Sequence, residues 1–128
     1  MTTAPATDSS PALCVRPVLI GRHSLRAQLD LVIETWGERA DTAADVIDEW
    51  LACFGLPGAD AAAVLRAPAG SASPLLRWQI ALLQGLLSGA DRLQVECPAG
   101  SPEHAEVARI VALLQRRYPL REFRLVAP

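Results

Sequence analysis

No lysine occurs in this chain: all twelve basic residues are arginine. Together with the abundant alanine, this points to a GC-rich, bacterial-type coding sequence before any physical demand for guanidinium. No apolar run reaches the roughly 18 residues that a membrane span requires. The richest stretch, residues 75–87, is interrupted by Arg77, Gln79, Gln84 and Gly85. No basic segment leading into an apolar core opens the sequence, so no secretory leader and no membrane role are expected. Cysteine is scarce and odd in number. Cys14, Cys53 and Cys97 stand far apart, which argues against a disulfide framework and for a reducing, cytoplasmic compartment. Histidine is limited to His23 and His104, and no Cys-x2-Cys or His-x3-His pair exists to set a tetrahedral metal site. Glycine-rich nucleotide fingerprints and Walker loops are absent. Asp45, Asp48 and Glu49 share a helical face, for which a solvated acidic surface is the simpler account. No cofactor and no metal are expected.

What is present is a globular composition. Hydrophobic residues make up 51% and charged residues 20%, above the disordered range in apolar content. A chain of 128 residues suits one domain. Residues 1–12, rich in Thr, Ser, Pro and Ala, read as a disordered lead-in, and residues 13–128 as a single α/β domain. The net charge of −2 gives no global bias toward nucleic acid. The charge is unevenly placed, however. Residues 1–64 hold four arginines against nine acids, and residues 65–128 hold eight against five. Such asymmetry steers a partner or marks two complementary faces.

Residues 13–20 (LCVRPVLI) read as the first strand, with Pro17 favouring an edge or a bulge. Residues 24–36 fit two patterns. As a helix, Ser24 caps it, Leu25, Leu29, Val32, Ile33 and Trp36 line one face, Arg26 and Asp30 pair across one turn, and Gly37 stops it. As a strand, Leu29, Leu31 and Ile33 alternate with Asp30, Val32 and Glu34. The helix is the preferred reading.

A clearer helix follows, with Thr42 as cap, an apolar face of Val46, Ile47, Trp50, Leu51 and Phe54, and a left-handed exit at Gly55 on which Leu56 folds back. A short helix over residues 60–66 and a flexible connection over 67–73 come next. Ser73–Pro74 opens a helix to about residue 88 that is apolar round most of its circumference, as a buried or partner-covered helix would be. Residues 92–97 (RLQVEC) alternate as a strand. A helix starting at Ser101–Pro102 runs to Arg117, and residues 121–126 (REFRLV) form the last strand. The fold class expected is α/β: a small sheet of three strands, or four if 24–36 is extended, with a C-terminal parallel βαβ unit and about four packing helices.

Chemistry concentrates at residues 97–104, between a strand end and a helix start, where free amides attract anions. There Cys97 could act as a nucleophile of depressed pKa, His104 as its base, and the amides of Gly100 and Ser101 as an anion site. The layout resembles the Cys-x5-Arg phosphate loop of cysteine phosphatases and rhodanese-type sulfurtransferases. The pattern's arginine position holds Glu103 here, whose carboxylate repels an oxyanion, and Pro102 removes one amide donor. The likeness covers fewer than ten residues, and no family is assigned on it. The simpler account makes Cys97 a core residue at a strand end, Ser101 a cap, and Glu103 a complement to the helix dipole.

Arg109, Arg116, Arg117, Arg121 and Arg124, interleaved with Tyr118 and Phe123, suggest phosphate contact with base stacking. Cations closing a helix and alternating along an exposed strand explain them as well, so a nucleic-acid partner is not expected. Trp36 and Trp50 fill the core by their helical faces, whereas Trp78, between Arg77 and Gln79, fits an interface rim. The function expected is a non-enzymatic protein-interaction or accessory module. It self-associates or binds a protein partner, and its contact lies on Trp78, Leu75, Leu82 and Leu86. The alternative is a small thiol- or anion-handling enzyme at Cys97 and His104.

Overall fold

The computed structural model describes residues 12–19, 21–36, 40–56 and 58–127. The lead-in expected over residues 1–12 lies outside them except for Ala12, as do Gly37 and the side chain of Trp36. In chain order the elements are β1 (Leu13–Val15), α1 (Leu25–Trp36), α2 (Ala40–Cys53), α3 (Gly58–Arg66), a 3-10 turn (Ala69–Ser71), α4 (Pro74–Leu87), β2 (Arg92–Glu96), α5 (His104–Arg117) and β3 (Glu122–Val126). The chain is mixed α/β, with five α-helices and one three-stranded parallel sheet among the described residues. It divides into two compact units, residues 16–89 and a unit that joins residues 90–128 to β1.

In the helical unit, residues 24–36 are helix and not strand. The Ser24 hydroxyl accepts the N–H of Ala27 at 3.0 Å, and Arg26 Nε donates to Asp30 Oδ1 at 3.0 Å. Leu25 and Leu29 are buried with Gln28 between them, while Leu31 faces out. α1 packs on α3 and α4, and α2 packs on the same two helices. Ala43, Ile47, Trp50 and Leu51 supply the buried stripe of α2.

Helix α2 begins at Ala40, so Thr42 lies inside it and is not its cap. Its exit is as expected. Gly55 takes φ +85°, Gly55 N–H donates to Ala52 O at 3.0 Å, and Leu56 N–H donates to Leu51 O at 2.8 Å. These two bonds satisfy carbonyls that a helix end leaves open.

The connection over 67–73, expected to be flexible, is tied by backbone bonds to residues 21–25. Leu25 N–H donates to Ala67 O (3.0 Å), Ala69 N–H to His23 O (2.9 Å) and Gly70 N–H to Gly21 O (2.8 Å). Arg77 Nη2 adds a bond to Gly70 O at 3.0 Å. A Cβ at position 70 would lie 3.0 Å from the Gly21 carbonyl oxygen, so any other residue there would press on that backbone and ask it to give by a few tenths of an ångström. Ser73 caps α4 by accepting Leu76 N–H at 3.2 Å, with Pro74 in the tolerated first turn.

In the sheet unit the strand order is β1-β2-β3, all parallel. β1 stops at Val15, five residues short of the expected strand, because Pro17 has no N–H to give the ladder. The register aligns Val15 with Val95 and Leu93 with Phe123, so one face is apolar and buried. Gln94, Glu96 and Arg124 take the other face. α5 packs on β3, and its Val107, Ile110, Val111 and Leu114 are buried at helical spacing.

β3 is an edge strand. Glu122 N–H turns toward Asp91 O (2.8 Å), so the next residue's N–H turns outward. Gln115 of α5 meets it there. Its Oε1 accepts Phe123 N–H at 2.9 Å, and its Nε2 donates to Arg121 O at 2.7 Å.

Candidate functional site

Cys97 follows directly on β2. Its N–H donates to Val126 O at 3.0 Å, which carries the pairing one residue beyond the strand and keeps the thiol on the buried face. The residue is 0% exposed. Its sulfur lies 3.5 Å from Ser101 Oγ and 3.9 Å from Pro98 O. Two tight turns then lead to the helix. Ser101 N–H donates to Pro98 O at 3.0 Å, and His104 N–H donates to Ser101 O at 3.2 Å.

Helix α5 therefore starts at His104, three residues later than the Ser101–Pro102 start read from the sequence. Glu103 stands at the cap without a side-chain bond, and the Ser101 hydroxyl points to the sulfur instead of to a helix amide. Local Ser-Pro chemistry suggested a cap, but the serine hydroxyl that would accept a helix amide is turned to the Cys97 sulfur.

The chemistry open to this arrangement is narrow. The thiol is shielded, Pro102 has no N–H, and the Ser101 amide is spent on Pro98. Gly100 is exposed and His104 is half-buried. Sequence proximity brings Cys97 and Ser101 together, but no hydrogen bond joins Cys97 to His104 among the described residues. Glu103 and Glu106 place carboxylates at the helix start, where they compete with any incoming anion. Glu106 is itself committed to Arg109, whose Nε donates to Oε1 at 2.9 Å and whose Nη2 reaches the other oxygen. That bond holds the Glu106 carboxyl below the usual carboxylate range, against a small opposing effect of burial.

On α4 the residues expected at an interface are mostly inside. Trp78 is 4% exposed, Leu82 1% and Leu86 5%, and Leu75 is half-buried. Trp78 is therefore a core residue and not a rim residue. Most of the apolar circumference of α4 is buried, with Leu75 and Leu76 half-exposed at its start.

The arginine cluster is largely engaged. Arg121 Nε and Nη2 both donate to Ala90 O, at 2.9 and 2.6 Å, and its guanidinium lies 5.5 Å from the Phe123 ring centroid. Arg117 sits 5.2 Å over Tyr118. Arg92 and Arg124 each approach Glu122 Oε2 at 3.7 Å. What the sequence did not single out is Leu120, in the turn between α5 and β3, 98% exposed shortly after Arg116 and Arg117 in the chain. A leucine just past Tyr118–Pro119, belonging to the period of neither flanking element, is the signal that could have found it.

No group of three or more potential metal ligands occurs among the described residues. No protein-family model matches the chain, and no curated protein matches it either.

Proposed function

We propose that this chain is a non-enzymatic protein-interaction module that self-associates or binds a protein partner through the turn between α5 and β3. Leu120 carries the reading. Burying a leucine side chain is worth about 1.5–3 kcal/mol, and this one is 98% exposed. Arg116 and Arg117 stand shortly before it in the chain and Arg121 directly after it, and residues 107–121 contain no acid. The arginines match the composition of interface hot spots, and an exposed apolar side chain with a cationic rim calls for an acidic counterpart. A second copy offers one in Asp45 and Glu49, exposed on α2. The proposal takes the module to be cytoplasmic, and β2, α5 and β3 to be a right-handed parallel βαβ unit.

Sedimentation velocity over a concentration series tests it. The wild-type weight-average mass should rise with concentration at low salt, while Leu120→Asp stays monomeric. A wild-type chain that remains monomeric at every concentration, with no protein captured by a photo-crosslinker at position 120, would refute the reading.

A second reading is a thiol- or anion-handling enzyme at Cys97, with His104 as base and Gly100 and Ser101 holding the anion. The contact of the Cys97 sulfur with the Ser101 hydroxyl, at 3.5 Å, favours it, but it requires the turn over residues 98–103 to open and expose the sulfur.

A further inference from the structure

Within the helical unit, α1, α2 and α3 enclose a cleft of about 320 Å³, at the small end of the range for ligand sites. Its floor is apolar: Leu51, Leu65 and Ala61 are buried there. Its rim is charged, with Arg26 from α1, Asp48 from α2 and Arg66 from α3. The three charges are not equivalent. Arg26 gives only its Nε to Asp30, which leaves its terminal nitrogens as donors. Asp48 and Arg66 make neither an ion pair nor a hydrogen bond among the described residues.

We propose that this cleft binds a free apolar α-amino acid. Its carboxylate would lie between the Arg26 and Arg66 guanidinium groups, its ammonium against Asp48, and its side chain on Leu51 and Leu65. A simple organic anion fits less well, because Asp48 would face it with like charge. A simple amine would meet two guanidinium groups. A zwitterion with an apolar body answers all three charges and the floor together. This site is independent of the contact at Leu120.

The test is titration of the ¹⁵N-labelled full chain with leucine, followed by amide shifts, beside two analogues: 4-methylpentanoate, which lacks the amine, and isoamylamine, which lacks the carboxylate. Leucine should give saturable shifts at residues 48–66 in the millimolar range, with both analogues weaker by about tenfold, the loss of one charge-assisted bond. Asp48→Asn should remove the preference for leucine over 4-methylpentanoate, and Arg66→Gln should weaken leucine and 4-methylpentanoate alike. Both positions are exposed, so the spectra of the free variants check that the fold is intact. Saturable binding of 4-methylpentanoate as tight as leucine would overturn the zwitterion assignment. The absence of saturable shifts with all three compounds would overturn the site.

Discussion

A carboxylate and a thiol show how differently one helix start treats its titratable groups. Glu106 is half-buried, and its lowered pKa rests first on the hydrogen bond from Arg109. Because the folded value lies below the unfolded one, the pair stabilises the fold above the unfolded value, and this contribution is lost as pH falls through the folded value. In Arg109→Ala the carboxyl should return to the ordinary carboxylate range, read by NMR titration of the Glu106 side chain; an unchanged midpoint would deny the hydrogen bond its role. Cys97 is the opposite case. Its burial predicts slow alkylation in the folded chain at every pH, whereas Cys14 and Cys53, both exposed, should react quickly. Rapid labelling of Cys97 with an apparent pKa well below about 8.5 would favour the enzymatic reading instead.

At the scale of elements, the signals that proved legible are local. Ser24 and Ser73 announce helix starts, and each hydroxyl accepts the amide three residues on. Replacing either by alanine should cost about 1 kcal/mol of stability, measured by urea unfolding; a loss near zero would show that the hydroxyl bond does not hold that helix start. Gly55 and Leu56 announce a helix stop, and both make the bonds expected there.

What was not legible depends on partners distant in sequence. Nothing in residues 67–73 indicates that residues 21–25 will accept and donate backbone bonds to them. Nothing in residues 98–101 indicates that the serine hydroxyl will turn to the sulfur and leave the helix start uncapped by it. The thiol loop could be placed at a strand end from its pattern, but whether the sulfur reaches water is decided by tertiary burial. For Trp78 the polar neighbours in sequence were misleading, because adjacent helical positions point about 100° apart and do not share a face.

At the scale of the whole molecule, charge and backbone pairing constrain association separately. On the proposed self-association, the acid-rich first half of one copy would attract the arginine-rich second half of another, and attraction of that origin fades as salt screens it. The sheet border behaves otherwise. An open strand edge is a template that any extended peptide can join, and here the amide of Gln115 already holds Arg121 O and Phe123 N–H. To an approaching strand, the first rung of the ladder is taken. On the proposed self-association, copies would meet through side chains, in contacts that dilution or salt can undo, while a single glutamine takes the first place where backbone could stack on backbone at β3.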